Sequence, residues 1–189
     1  MLDRSVAHLE LSALVRAAAV LLAVVLTALA AQFTIPLPFT AVPSTLTPLV
    51  VMVTGAVLGA RLGFVTQAIY LAAGAAGLAV FTPVPTLPPG ALRLVGPTGG
   101  YLLAYPIAAF VTGWLAERGW DRHYVTSFAS MLAGLAVIFA GGVSWLAISV
   151  THSIPAAIAG GFTPFIVKDI LEAAAAALVL PGAWRMFRR

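Results

Sequence analysis

Charge is scarce in this chain of 189 residues, of which only 8% are charged and 61% are apolar. Soluble domains carry about 25% charged and roughly 45–50% apolar residues, so the composition excludes an ordinary water-soluble globule. A disordered chain is excluded too, because disorder needs few apolar residues and many charges. Cysteine is absent, which rules out disulfides, thiolate metal ligands and cysteine nucleophiles. We therefore predict an all-α membrane protein.

Stretches without acidic or basic residues place the membrane spans. The first such stretch, between Arg16 and Arg61, contains Pro36, Pro38 and Pro43, so it must fold back rather than continue as one helix. With about 20 residues needed for each crossing, we predict a bundle of six transmembrane helices in one integral membrane domain, residues 1–189. The spans are expected at about 14–34, 45–60, 62–81, 98–115, 125–150 and 164–183.

The distribution of Lys and Arg predicts the orientation of these spans. Arg93 and Lys168 fall on one side of the membrane, and the other eight basic residues fall on the side that holds both termini. Because cytoplasmic loops carry the excess of Lys and Arg, we expect both termini in the cytoplasm. The run from Arg16 to Ala30 also resembles a cleavable signal peptide, but its continuation into a small-residue helix favours a retained span.

Irregular segments follow the first, third and fifth spans, at 35–44, 82–97 and 151–163. The first two combine prolines with apolar residues, which makes them poor water-facing linkers. Irregular backbone at membrane depth persists only against protein or a cavity, so we predict a lid over a pocket on the extracellular side. Tight connections between antiparallel helices are the alternative.

Lys168, Asp169 and Glu172 lie in the first two turns of the predicted sixth span. Ionisable residues inside a span are costly and usually face a partner or a cavity, which makes this cluster a candidate binding site. The alternative is a self-neutralising salt bridge near the headgroups, with Lys168 reaching outward.

Arg93 is the only basic residue in the predicted outer loops and precedes the glycine-rich run from Gly96 to Tyr101. Its guanidinium suits a carboxylate ligand or, alternatively, a lipid headgroup. Tyr101 and Tyr105 share a helix face, as residues of an aromatic belt often do. No serine-hydrolase, zinc-protease or phosphate-loop motif occurs, so we expect neither an enzyme nor a bound metal or cofactor.

Five segments make the chain resemble the BioY family, the biotin-specific S component of energy-coupling factor (ECF) transporters. They are Val42-Pro-Ser-Thr-Leu-Thr-Pro48, Gly55 to Gly63, Tyr70-Leu-Ala-Ala-Gly74, Gly96-Pro-Thr-Gly-Gly-Tyr-Leu102 and Pro164-Phe-Ile-Val-Lys-Asp-Ile170. The resemblance implies six helices, an outward-facing biotin pocket and a location in the cell membrane. It also implies a transmembrane T component and ATP-binding subunits as partners. We expect no nucleic-acid partner, because membrane orientation explains the basic residues.

The family's motif at the start of the last helix typically reads Pro-Phe-x-x-Gly-Asp-x-x-Lys. Asp169 matches its aspartate, whereas Lys168 replaces the glycine and Glu172 replaces the lysine. The first helix of S components typically carries an Ala-x-x-x-Ala patch that docks on the T component, and Ala19 and Ala23 match it. Contacts that the family assigns to its lysine therefore do not transfer directly to this chain.

With biotin as the transported ligand, the resemblance suggests which residues contact each part of the molecule. Asp169 would accept from the ureido N–H groups, with Tyr101 or a backbone group completing that end. Arg93 and Lys168, beside Glu172, would serve the carboxylate. Three aromatic side chains would line the apolar part: Phe39, Phe81 and Phe165. A secondary ion-coupled transporter and an S component for another vitamin are the alternative functions, and the sequence leaves self-association open.

Overall fold

Helices make up most of the chain in the computed structural model, which describes residues 2–83 and 89–187. They are α1 (Leu2–Gln32), α2 (Thr47–Ala75), α3 (Leu92–Val95), α4 (Gly99–Glu117), α5 (Tyr124–Leu146), α6 (Ile154–Gly161) and α7 (Ile166–Phe187). Part of the predicted proline-rich loop, 84–88, lies outside the described residues. So do Arg188 and Arg189, which contribute to the charge count.

A short pair of strands reverses the chain after α1, where the sequence predicts a fold-back at three prolines. Strand β1 (Thr34–Ile35) runs antiparallel to β2 (Ser44–Thr45), with Thr34 opposite Thr45. These two strands lie at the two ends of the segment 35–44 that the sequence predicts to be irregular. The strand pair brings the start of α2 back beside the end of α1.

A sharp bend at Gly59 divides α2 into two arms, residues 47–58 and 60–75. Gly59 has φ +83°, a conformation that glycine adopts readily and other residues adopt at a cost. The arms pack closely, since a Cβ added to Gly63 would lie 2.9 Å from the Cα of Gly55. The predicted second and third spans are thus joined without a loop, and the second arm ends at Ala75 rather than near residue 81.

Small residues allow α2 and α4 to approach closely. A Cβ on Gly55 would clash with the carbonyl of Ala109, and a Cβ on Gly113 would lie 2.5 Å from the backbone nitrogen of Ala60. Glu117 Oε1 accepts a hydrogen bond of 2.8 Å from the same Ala60 N–H, which satisfies a backbone donor at the start of the second arm. The bend of α2 and the end of α4 therefore lie together.

The segment between α5 and α7 is more ordered than the sequence predicts. A π-helical turn (Ala147–Thr151) extends α5, and α6 occupies most of the segment 151–163 that we expected to be irregular. Ser153 caps α6, and Pro155 stands in its first turn, both common features of a helix start. The last helix begins at Ile166, two residues later than predicted.

Four helical segments among the described residues are long and apolar enough to cross a membrane: Ser12–Gln32, Thr47–Ala75, Gly99–Glu117 and Tyr124–Thr151. The segment Thr47–Ala75 contains both arms of α2. The predicted sixth span corresponds to α7, whose first two turns carry the ionisable cluster. The prediction of a mostly helical membrane protein is therefore confirmed.

Candidate functional site

A cavity of about 60 Å³ lies at the end of the bundle opposite the Gly59 bend. Its walls come from the loop before α2, the segment after α2, α3 and α4, the middle of α5 and the start of α7. Six of the eight predicted binding residues line this cavity: Phe81, Arg93, Tyr101, Phe165, Lys168 and Asp169. Residues that are up to 88 positions apart in the sequence therefore meet at one place.

Lys168 is held by three oxygen atoms. Its Nζ lies 2.7 Å from the carbonyl oxygen of Thr45, 2.7 Å from Asp169 Oδ1 and 2.8 Å from Glu172 Oε1. The ammonium group therefore joins α7 to strand β2 and offsets two neighbouring carboxylates. Removing the lysine would leave those carboxylates in a poorly solvated place, which is costly.

Asp169 presents an acceptor with unused capacity at the cavity. The residue is only 4% exposed, and its Oδ1 is covered and accepts no hydrogen bond with good geometry from the described residues, although Lys168 lies within ion-pair distance. Buried polar atoms in native proteins normally have hydrogen-bond partners. Lys168 Nζ, 2.7 Å from Oδ1, is the partner here, and a carboxylate has further acceptor sites that a ligand N–H can use.

Arg93 provides a cation on the cavity wall. It projects from the one-turn helix α3, is 6% exposed, and donates a hydrogen bond of 3.0 Å from Nη1 to the carbonyl of Thr82. Burial lowers the pKa of the Arg93 guanidinium from its ordinary value, but arginine remains protonated in proteins. The guanidinium therefore places a lasting positive charge beside the cavity.

Two glycines make room for the ring of Tyr101 on the α4 side of the cavity. A Cβ on Gly142 would overlap the Tyr101 ring, and one on Gly161 would meet its hydroxyl oxygen. The hydroxyl donates a hydrogen bond of 2.6 Å to the carbonyl of Gly161 at the end of α6. Its oxygen retains the capacity to accept a bond from a ligand.

Aromatic rings form much of the remaining cavity wall. Phe81 packs edge-on against Tyr70, with ring centroids 5.4 Å apart, and a Cβ on Gly74 would overlap it. Phe139 packs in the same manner against Phe162 at 4.8 Å. Such edge-to-face pairs are a favoured aromatic geometry, and they fix the apolar wall in place.

Two predicted binding residues do not line the cavity. Phe39 is 68% exposed in the loop between the strands. Glu172 lies one turn further along α7 and reaches the site through its contact with Lys168. Lys168 itself lines the cavity, but its ammonium already makes the three contacts described above.

Sequence reasoning missed Tyr105, Thr45 and Phe139, which also line the cavity. Tyr105 was assigned to an aromatic belt, yet it is 6% exposed, and its spacing of four residues from Tyr101 already places both on one helix face. Thr45 contributes a backbone carbonyl, and Phe139 stands within a long apolar run. Neither residue carries a local signal.

A hydrogen bond joins the loop before α2 to α6. Thr40 Oγ1 donates a hydrogen bond of 2.6 Å to the carbonyl of Gly160. Trp145 Nε1 likewise donates one of 2.9 Å to the carbonyl of Gly96, between α3 and α4. Two of the three segments that we predicted to form a lid are therefore in direct contact.

Ala19 and Ala23 lie elsewhere, in an apolar groove of about 600 Å³ between α1, the first arm of α2 and α7. The Leu22 and Leu26 side chains of α1 line the same groove. The two alanines therefore lie away from the cavity, on a lateral surface of the bundle.

Sequence comparison identifies relatives along nearly the whole chain. The BioY family matches residues 5–189. The biotin transporter BioY of Thermotoga maritima is 41% identical over 145 residues, which cover 77% of this chain and 82% of the relative. The probable biotin transporter BioY of Pyrococcus horikoshii is 41% identical over 160 residues, covering 85% of this chain and 90% of the relative.

Structural comparison gives the same kind of neighbour. The crystal structure of the S-component for biotin from an ECF-type ABC transporter aligns with a TM-score of 0.72 at 23% sequence identity. The alignment covers 100% of this chain and 95% of the other. At this identity the match shows a shared fold.

Proposed function

The chain belongs to the BioY family, and we propose that it is the biotin-binding S component of an ECF transporter. In this role it captures biotin at the outer face of the cell membrane, and partner subunits hydrolyse ATP. The observation that carries the proposal is the convergence of Asp169, Arg93 and an aromatic wall on one cavity. Hydrogen-bond acceptor, cation and apolar surface are the three features that biotin requires.

We assign a part of biotin to each wall of the cavity. Asp169 accepts hydrogen bonds from the ureido N–H groups, with the Tyr101 hydroxyl beside it. Arg93 binds the carboxylate, since a guanidinium suits bidentate contact with that group. Lys168 orients Asp169 and Glu172 rather than binding the carboxylate, because its Nζ already contacts three oxygens. Phe81, Tyr105 and Phe165 line the space for the bicyclic ring and the tail.

Six crossings follow if each arm of α2 counts as one. Helices rise 1.5 Å per residue, so the arm 47–58 is only about 18 Å long, against roughly 30 Å for the hydrocarbon core. The loop before this arm, and the cavity beside it, therefore lie below the membrane surface. Irregular backbone at that depth needs cover from protein, which the contacts between the loop and α6 provide.

The ends of the bundle support cytoplasmic termini. Arg61 follows the Gly59 bend, and Arg118 follows α4, at the end where Glu117 contacts Ala60. Arg93 and Lys168 line the cavity at the opposite end. Positive charge is thus concentrated on the side away from the cavity, as expected for a cytoplasmic face.

The cavity must enlarge when biotin binds. Its volume of about 60 Å³ is well below the roughly 300 Å³ at which ligand pockets begin. The covering segment 36–43 contains no helix or strand, so it is the part most able to move outward. We expect biotin to lift this segment while the helices keep their packing.

A ligand screen tests the proposal. Purified chain in detergent is heated alone and with biotin, thiamine or riboflavin, since a ligand that binds the folded state raises the melting temperature by mass action. Biotin should stabilise the protein strongly, and the other two vitamins should not. Stabilisation by thiamine or riboflavin alone would assign a different vitamin, and no stabilisation by biotin would refute the proposal.

A further inference from the structure

A second groove, of about 600 Å³, lies between the second arm of α2 and α4, near the Gly59 bend. It is lined by Phe64 and Val65 from α2 and by Ile107 and Phe110 from α4, with Arg61 at one end. These four apolar side chains are between 40% and 53% exposed. The groove is separate from the cavity discussed above and shares no lining residue with it.

Small residues explain why the groove exists. Gly63 and Gly113 bring the second arm and α4 into backbone contact, so larger neighbours cannot fit between the helices and splay outward instead. Phe64 and Phe110 then form the two sides of the groove. The groove therefore follows from the close approach of the two helices.

Arg61 has no hydrogen-bond or ion-pair partner among the described residues, and it is exposed. Arg118, at the end of the neighbouring helix, is different. Its guanidinium stacks 3.4 Å above the Trp114 ring and donates to the Trp114 carbonyl at 3.0 Å. The Arg61 guanidinium is therefore unpaired among the described residues, and it lies at one end of an apolar groove.

We propose that this groove binds one anionic glycerophospholipid, with an acyl chain along the aromatic walls and the phosphate on Arg61. A guanidinium binds phosphate through paired hydrogen bonds, and basic pockets between transmembrane helices are suited to lipid headgroups. The negative headgroup of such a lipid matches the Arg61 cation, and its hydrocarbon chain matches the apolar walls of the groove. A soluble anion would contact only Arg61.

Native mass spectrometry of the full chain tests the assignment. Delipidated protein in detergent is mixed with equal amounts of phosphatidylglycerol and phosphatidylcholine carrying the same acyl chains. One phosphatidylglycerol molecule should remain bound under activation that removes phosphatidylcholine. Arg61→Gln should reduce this retained lipid about fivefold, the loss expected for one partly exposed charged contact.

Two further variants separate the explanations. Arg118→Gln removes the same charge from the neighbouring helix end and should leave retention within about twofold of the original chain. Val65→Trp keeps Arg61 but fills the groove, so it should also lower retention. Far-UV circular dichroism and gel filtration check that each variant folds.

Three outcomes would overturn the proposal. Equal losses in Arg118→Gln and Arg61→Gln would show a general surface charge effect. Unchanged retention in Val65→Trp would show that the groove is not used. Competition by soluble glycerol phosphate as effective as that by the whole lipid would show a headgroup site without an acyl-chain site. None of these measurements depends on biotin binding.

Discussion

Replacement of Asp169 by Asn gives the sharpest test of the binding site. The carboxylate lines the cavity, is 4% exposed, and pairs with Lys168 Nζ at 2.7 Å. In Asp169→Asn one acceptor oxygen becomes an N–H2 donor, which would face the N–H donors of the ureido ring. A hydrogen bond to a charged group contributes roughly 1.5–3 kcal/mol, so biotin should bind about 10- to 150-fold more weakly.

Glu172→Gln is the matched control for this prediction. Glu172 contacts the same Lys168 Nζ at 2.8 Å, but it does not line the cavity. This variant removes a negative charge from the same cluster without removing a ligand contact, so biotin affinity should change by less than about threefold. The comparison separates direct recognition by Asp169 from an indirect effect through Lys168.

Isothermal titration of purified proteins with biotin measures both variants. Melting curves without ligand show whether each variant is folded, which keeps a loss of affinity from being confused with a loss of structure. Unchanged affinity in Asp169→Asn would refute the assignment of the ureido contacts. Equal losses in both variants would show that Asp169 acts through the charge balance of the cluster.

Three other substitutions test separate parts of the structure. Arg93→Gln should weaken biotin about tenfold but leave the weaker binding of biotin methyl ester nearly unchanged, because only the free carboxylate uses the guanidinium; titration of both ligands measures the difference. Ala23→Trp should abolish co-purification with the T component, because the new side chain fills the groove between α1, α2 and α7. The control Leu21→Trp, at a residue that is 61% exposed, should leave co-purification unchanged. If both variants retain the T component, the groove is not the docking surface. Gly59→Ala should lower the melting temperature more than Gly77→Ala. Both glycines have positive φ, which costs other residues roughly 1–2 kcal/mol. Only a Cβ at Gly59 would also meet the Glu117 side chain, at 2.6 Å. Equal shifts would show that this contact is unimportant.

The sequence predicts a mostly helical chain because long apolar runs leave few other options in a membrane. It does not predict how α2 turns. Arg61 suggested a boundary between two helices, but a reversal at the single residue Gly59 depends on contact with α4, which is distant in the sequence. The short helix α6 lies in a segment that we expected to be irregular. Pro155 stands in its first turn, where proline is accepted.

The candidate site could be assembled from the sequence only in part. Charged and loop residues such as Arg93 and Asp169 stand out in an apolar chain. Tyr105 and Phe139 do not stand out, because aromatic residues occur both in the protein core and at the lipid surface. The exposure of Phe39 and the engagement of Lys168 depend on neighbours far away in the chain, Gly160 beside the Phe39 loop and Thr45 beside the lysine, which residue chemistry alone cannot locate.

The triple contact of Lys168 restricts how this chain can diverge from its relatives. The resemblance described for the sequence places glycine and lysine at the positions of Lys168 and Glu172. If Lys168 changed first, Asp169 and Glu172 would lose their shared cation. If Glu172 changed to lysine first, two cations would lie beside Asp169 alone. Natural variants are therefore expected to exchange the two positions together, so these sites should covary when many homologous sequences are aligned.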